Sequence, residues 1–188
     1  MGFVRATAEL LDTGRREIMT ASFESLAHRE RDGLVAFARG MLADGHEAED
    51  AAQEALLRLY RTWGRAENPR AFLYKTIANL CIDRLRQRSV LPPAGDPSIS
   101  GSGNAAAAQG ETARPELDER AAAVRAAIEE LPPDERAAVL LKEVERLSYA
   151  EIASTLDATV TQVTNWIHRG KNRLRRKLAP YMEEGKRP

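Results

Sequence analysis

Residues 89–116, SVLPPAGDPSISGSGNAAAAQGETARPE, hold four prolines, four glycines and four serines, with only Val90, Leu91 and Ile99 as large apolar residues. Such a stretch buries too little apolar surface to offset the entropy lost on ordering it. It is also longer than the loops that join elements within a compact domain. It reads as a flexible linker that divides the 188-residue chain into two units. The expected division is an N-terminal extension at 1–19, a first domain at 20–88, the linker at 89–116, a second domain at 117–180 and a tail at 181–188.

Both units read as all-α. No run of Val, Ile or Thr alternates with a period of two, so no sheet is expected. Ala, Leu, Arg and Glu, all good helix formers, dominate the chain. In the first unit Phe23, Leu26, Leu34, Phe37 and Met41 recur at helical intervals, and a break follows at Ala43–Gly45. A second helix begins near Glu47 and lines up Ala48, Ala51, Ala52, Ala55, Leu56, Leu59 and Trp63, with Tyr60 and Trp63 expected in the core. Asn68-Pro69 then supplies an N-cap and a first helical residue for a third helix reaching about Arg88, with Leu73, Ile77, Leu80, Cys81 and Leu85 as its apolar set.

The second unit starts with helices over 118–130 and about 133–144, separated by Leu131-Pro132-Pro133. Ser148-Tyr-Ala-Glu151 then reads as a capping box opening a short helix to Leu156. After Asp157-Ala158 a second box, Thr159-Val-Thr-Gln162, opens a long helix to about Leu178. Val160, Val163, Ile167, Leu174 and Leu178 form its apolar face. Two helices this closely spaced, the second basic and polar on one side, make a helix-turn-helix.

Several function classes drop out. No segment approaches the ~20 apolar residues needed to span a bilayer, and the N-terminus lacks the apolar core of a secretion signal. Cys81 is the only cysteine, which excludes an internal disulfide and fits a cytoplasmic location; at its place in the third helix it reads as a small buried hydrophobe. No Walker loop, nucleophile elbow, paired-cysteine motif or dinucleotide-binding glycine pattern occurs, so neither an enzyme nor a cofactor is expected.

The formal net charge is zero, with 28 basic and 28 acidic residues, but the charges are segregated. Residues 44–54, DGHEAEDAAQE, hold five acids and no Lys or Arg. Residues 158–182 hold six bases and no acid. Arg84, Arg86 and Arg88 close the third helix. A chain with such separated poles can meet an anion at one place and a cationic surface at another.

The basic helix carries Thr161, Gln162, Thr164 and Asn165 in its first turns, donors and acceptors of the kind that read base edges in the major groove. The cations at 169–177 suit phosphate, although cations near a helix C-terminus also complement its dipole. The acidic stretch admits three readings: a favourable helix N-terminus, a face that docks a protein, or a metal site built from Asp44, His46, Glu47, Glu49 and Asp50. His46-Glu47 begins a zinc-protease motif, but its fifth position is Asp50 rather than His. Lys75 and Asn79, one turn apart on a face shared with Arg86, are either solvated or part of a track for a nucleic-acid backbone.

Four ordered motifs give a resemblance: AEDAAQEALLRLYR (48–61), NPRAFLYKTIANLCIDRLRQR (68–88), LPPDERAAVLL (131–141) and LSYAEIASTL (147–156). Together they resemble the extracytoplasmic-function sigma factors of the sigma-70 family, over about residues 22–88 and 117–178. The resemblance implies two helical domains, a region 2-like bundle and a region 4-like helix-turn-helix. It implies an alternative sigma factor that binds core RNA polymerase, through the coiled coil of its largest subunit and its flap region, and initiates at specific promoters. Glu49, Asp50, Gln53, Glu54 and Leu57 would bind core. Lys75, Asn79, Arg84 and Arg86 would contact the minus-ten element. Thr161, Gln162, Thr164, Asn165, His168, Arg169, Lys171 and Arg173 would contact the minus-thirty-five element. An anti-sigma factor would be a further partner. Thr164, Trp166 and Asp157 depart from the family pattern. The alternative is a helix-turn-helix regulator that acts on DNA without polymerase; such proteins usually dimerise, and no dimerisation helix is evident.

Overall fold

Short-range capping sets most of the element boundaries in the computed structural model, which describes the backbone of residues 2–90 and 115–183 and the side chains of 21–89 and 119–181. Seven helices and no strand occur among the described residues: α1 (Gly2–Leu42), α2 (Gly45–Arg61), α3 (Pro69–Val90), α4 (Pro115–Glu129), α5 (Pro133–Glu143), α6 (Tyr149–Thr155) and α7 (Val160–Glu183). The expected linker lies outside the described residues, apart from its two ends within α3 and α4.

Helix α1 stops where Ala43 turns left-handed, with φ at 60°. Asp44 then caps α2, its side chain accepting the Glu47 N–H at 2.9 Å. Asn68 does the same for α3, accepting from the Ala71 N–H at 3.0 Å, and Pro69 occupies the first helical position, where its missing N–H costs nothing. In the second group Ser148 and Glu151 cap each other reciprocally, at 2.8 and 3.2 Å. Thr159 and Gln162 repeat the arrangement at the start of α7. Between them Asp157 sits at φ 50°. Helix α7 runs past the expected end near Leu178 and includes Pro180, which has no N–H to give the Arg176 carbonyl one turn back.

The first three helices form one bundle. Leu34, Phe37 and Met41 of α1 and Leu59 of α2 are buried together with Leu73, Ile77 and Cys81 of α3. Fully burying a side chain such as Leu or Phe contributes about 1.5–3 kcal/mol. Ala48, Ala51, Ala52 and Ala55 give α2 a stripe of small buried residues. Burial pushes the Cys81 thiol up to about 12, leaving it neutral and without thiolate chemistry. Two residues depart from expectation. Tyr60 is 55 % exposed and not in the core, because it lies one position beyond the Ala55–Leu59 ridge. Trp63 is half-buried, edge-on to Phe23 with ring centroids 5.2 Å apart.

Helices α4 to α7 form the second group around Ala137, Ala138 and Leu141 of α5, Ile152 of α6, and Val163 and Ile167 of α7. Gly170 brings α7 close to α5: a β-carbon there would lie 2.7 Å from Val139 Cγ2. Val160, the first residue of α7, is 49 % exposed rather than part of the buried apolar face.

The two groups pack on each other, which the linker composition did not foretell. Helix α1 meets α4 and α5, and α3 meets α5 and α6. Gly40 of α1 admits Leu140 of α5; a β-carbon there would come within 2.9 Å of Leu140 Cδ1. Arg136 of α5, only 6 % exposed, donates to the carbonyls of Met41 at the end of α1, of Glu129 at the end of α4 and of Leu131 in the α4–α5 turn. Those carbonyls lie at helix ends, where intrahelical donors run out.

Candidate functional site

Three surfaces carry the residues singled out in the sequence. The first is the outer ridge of α2. Glu49, Asp50, Gln53 and Leu57 are exposed along it, Leu57 by 45 %, and Glu54 is half-buried beside them. Spacings of three and four residues bring these side chains onto one face. Glu49 pairs with Arg39 of α1 at 3.0 Å, and Glu54 with Arg58 one turn on at 2.7 Å. The Arg58 hydrogen bond holds the Glu54 carboxyl below its ordinary value. Tyr60 continues the ridge, and its ring meets Phe23 of α1 edge-on at 5.1 Å. The ridge thus joins acids to an apolar and aromatic end, a composition suited to a protein partner that brings cations and apolar side chains. Sequence reasoning missed Tyr60 as a surface residue; its position next to Leu59, off the alanine stripe, was the available signal.

The neighbouring acids serve the fold. Asp44 caps α2, and Glu47 pairs with Arg88 of α3. Among the described residues no group of three or more His, Cys, Asp and Glu side chains could hold a metal ion.

The second surface is α3. Asn79 is exposed, while Lys75 is half-buried. Lys75 Nζ lies 2.5 Å from the Asp157 carboxylate, in the turn between α6 and α7. Next to it, the buried Tyr74 hydroxyl donates to the Glu145 carboxylate, and burial raises its pKa. Arg84 donates to the Glu47 carbonyl at 2.6 Å, and Arg86 lies 3.4 Å from Asp134 of α5. The four α3 residues expected to act together therefore divide. Asn79 faces solvent, Arg84 braces α2, and Lys75 and Arg86 face carboxylates of the second helical group.

The third surface is α7, the second helix of the helix-turn-helix. Thr161, Thr164, Asn165, His168 and Arg169 are exposed. Thr164 returns its hydroxyl to the Val160 carbonyl at 2.8 Å, and Gln162 is engaged in the capping box with Thr159. Trp166 packs against the core and is half-buried. Lys171 lies 2.7 Å from Glu143 and Arg173 lies 3.0 Å from Glu135, both on α5. Thr161, Asn165, His168 and Arg169 thus occupy the outer face of α7, and Lys171 and Arg173 flank its contact with α5. This arrangement can present polar groups to a groove and cations to its walls.

Comparison with known proteins gives a consistent result. The family model described as Sigma-70 region 2 matches residues 26–90, and that described as Sigma-70, region 4 matches residues 121–174. The chain is 32 % identical to the ECF RNA polymerase sigma factor SigE of Mycolicibacterium smegmatis, over 95 % of this chain and 69 % of that protein. It is 31 % identical to the ECF RNA polymerase sigma factor SigW of Bacillus subtilis, over 84 % and 89 % respectively. It is 30 % identical to the RNA polymerase sigma-H factor of Pseudomonas aeruginosa, over 87 % and 89 %. Two solved structures share its fold at 20 % identity. The sigma factor RpoE of Bartonella quintana, solved in complex with the anti-sigma factor NepR, gives a TM-score of 0.63, covering 84 % of this chain and 97 % of that one. CnrH, solved in complex with the cytosolic domain of CnrY, gives 0.61, covering 86 % and 90 %.

Proposed function

The chain belongs to the extracytoplasmic-function sigma factors of the sigma-70 family, and from that membership we propose how its surfaces divide the work. As an alternative sigma factor it binds core RNA polymerase and directs initiation at specific promoters. The ridge of α2, through Glu49, Asp50, Gln53, Glu54 and Leu57, docks the coiled coil of the largest subunit. Its acids steer and register the encounter, and the exposed Leu57 adds apolar contact. The edge of α3 that carries Asn79 and Lys75 engages the melted minus-ten strand, where extruding a base costs a few kcal/mol that a pocket must offset. Arg84 and Arg86 border that edge.

Helix α7 enters the major groove of the minus-thirty-five element. Thr161, Thr164, Asn165 and His168 face the bases, with Gln162 at the helix start, and Arg169, Lys171 and Arg173 face phosphate. The two domains, 20–88 and 117–180, act on one promoter, so each raises the effective concentration of the other. The protein works by binding rather than by turnover. An anti-sigma factor, of the kind bound to the Bartonella relative, restrains it.

The observation that best supports this assignment is the segregation of the surfaces: an exposed acidic ridge on α2 and an exposed polar face on α7, in the order region 2 then region 4. The test is specific run-off transcription from a promoter library by purified chain and core polymerase. Failure to bind core or to initiate at any promoter would overturn it.

A further inference from the structure

We propose that Asn165 is the base-selecting residue of α7 and that the promoter duplex it reads carries an adenine at the position Asn165 faces. The proposal rests on the reading of α7 as the helix that enters the minus-thirty-five groove, and adds a base that reading leaves open. Val163 and Ile167 are buried, which fixes the rotation of α7 about its axis. Thr161, Thr164, Asn165 and His168 follow one another at helical spacing and share the exposed face. The Thr159–Gln162 capping box sets where the helix starts, and so which residues stand in its first turns. Those turns are the part of a recognition helix that reaches base edges.

Hydrogen bonds within α7 decide what each of these residues still has to offer. Gln162 Oε1 accepts from the Thr159 N–H at 2.8 Å and from the Thr159 hydroxyl at 2.9 Å. Only its amide N–H groups remain open, so it cannot give a base a donor and an acceptor together. Thr164 donates its hydroxyl proton to the Val160 carbonyl at 2.8 Å, and is left with an oxygen that accepts and a methyl group. His168 lies against the Asn172 amide at 3.2 Å, and the Asn172 oxygen accepts from Arg175 at 3.0 Å. Asn165 is exposed and makes no hydrogen bond among the described residues. Its oxygen and its NH2 are both open, side by side on one planar group.

That pair of groups matches one base. In the major groove adenine presents the N7 acceptor beside the N6 donor, and a side-chain amide meets both at once. Guanine presents two acceptors there, so the Asn165 oxygen would face an oxygen or a ring nitrogen and stay unpaired. Cytosine and thymine each present a single hydrogen-bonding group. An amide buried in the groove with half of its bonds unmade loses affinity, and that loss is what discriminates. Asn165 carries no charge, so this preference holds across salt concentrations that weaken the phosphate contacts.

The test starts with selection from duplexes randomised across the minus-thirty-five window, using the full chain bound to core polymerase, followed by titration of the selected duplex. At one position adenine should exceed each other base by about tenfold in affinity. Asn165→Ala should level the four bases at that position and leave the preferences elsewhere as they were. Asn165→Arg should move the preference there to guanine, which a guanidinium pairs through O6 and N7. Replacing the adenine by 7-deazaadenine, which lacks the N7 acceptor, should weaken the unmodified protein about tenfold; this arm needs no variant to fold. Adenine preference that survives in Asn165→Ala overturns the proposal, and so does binding by the unmodified protein that is indifferent to N7 at every adenine of the selected site. The reading of α7 itself is judged by Arg169→Ala. If that variant weakens duplex binding while Asn165→Ala keeps the adenine, only the assignment to Asn165 falls. If both variants bind the duplex as the unmodified protein does, the DNA role of α7 falls with it.

Discussion

Arg173 of α7 holds the carboxylate of Glu135 on α5 at 3.0 Å, and the Glu135 side chain is only 7 % exposed while that of Arg173 is 57 % exposed. A residue picked out for phosphate binding is therefore also the counter-ion of a buried acid. Arg173→Ala should lower stability by about 1–3 kcal/mol, the cost of leaving a buried polar group without its partner. Denaturant midpoints would register it, and an unchanged midpoint would remove the structural role. Loss of DNA binding in this variant must accordingly be read beside its melting curve.

Arg169 offers the contrasting case. It is exposed on the outer face of α7. Arg169→Ala should leave the melting temperature unaltered, weaken binding to minus-thirty-five duplex, and reduce the slope of log affinity against log salt by about one. Identical affinity and slope for wild type and variant would count against the phosphate contact.

On the acidic ridge, Asp50→Arg should weaken core polymerase binding by about tenfold without changing the helical circular-dichroism spectrum. Asp50 is the cleaner position for this test, because Glu54 is tied to Arg58 and its replacement also releases a cation. Equilibrium titration with labelled core would show the shift; equal affinities would point the docking face elsewhere.

Gly170 separates packing from propensity. Alanine would gain ~1 kcal/mol of helix propensity, yet its β-carbon would press on Val139 at 2.7 Å and sit 3.5 Å from the Glu135 carbonyl. Overpacking of this kind costs about 1–3 kcal/mol. Gly170→Ala should lower the melting temperature, and adding Val139→Ala should restore part of the loss. A Gly170→Ala protein as stable as wild type would mean that α7 shifts freely on α5.

Acid should weaken the helix-turn-helix through its cap. Hydrogen bonds from Ser148 hold the Glu151 carboxyl below its ordinary value of 4.5. Its folded pKa thus lies below its unfolded one, so its contribution is complete above the unfolded value and disappears as pH falls through the folded one. Glu151→Gln should flatten the dependence of stability on pH below about 4.5 and leave it unaltered between about pH 6 and 8. Parallel acid limbs for the two proteins would contradict this.

What could be read from the sequence was what neighbours in the chain decide. The boxes at Ser148–Glu151 and Thr159–Gln162 involve partners three residues apart, and both form. Asn68-Pro69 opens α3 for the same reason. The order of the motifs carried the family. Contacts between distant residues were not legible. Lys75 meets a partner 82 positions away and Arg173 one 38 positions away, and no local rule predicts either. Tyr60 was misplaced because an aromatic near an apolar ridge fits periodicity whether it faces inward or along the surface. Its exposure depends on where Phe23 of α1 comes to rest.

Asp157 adopts a left-handed backbone angle, φ 50°, that residues other than glycine, asparagine and aspartate seldom enter. A glycine there would make the reversal between α6 and α7 with less strain but would offer nothing to Lys75. One position therefore sets two properties against each other, the ease of forming the reversal and the ion pair that ties it to Lys75 of α3. Asp157→Gly and Asp157→Asn would pull those properties apart, the first relaxing the backbone and the second keeping its shape while dropping the charge.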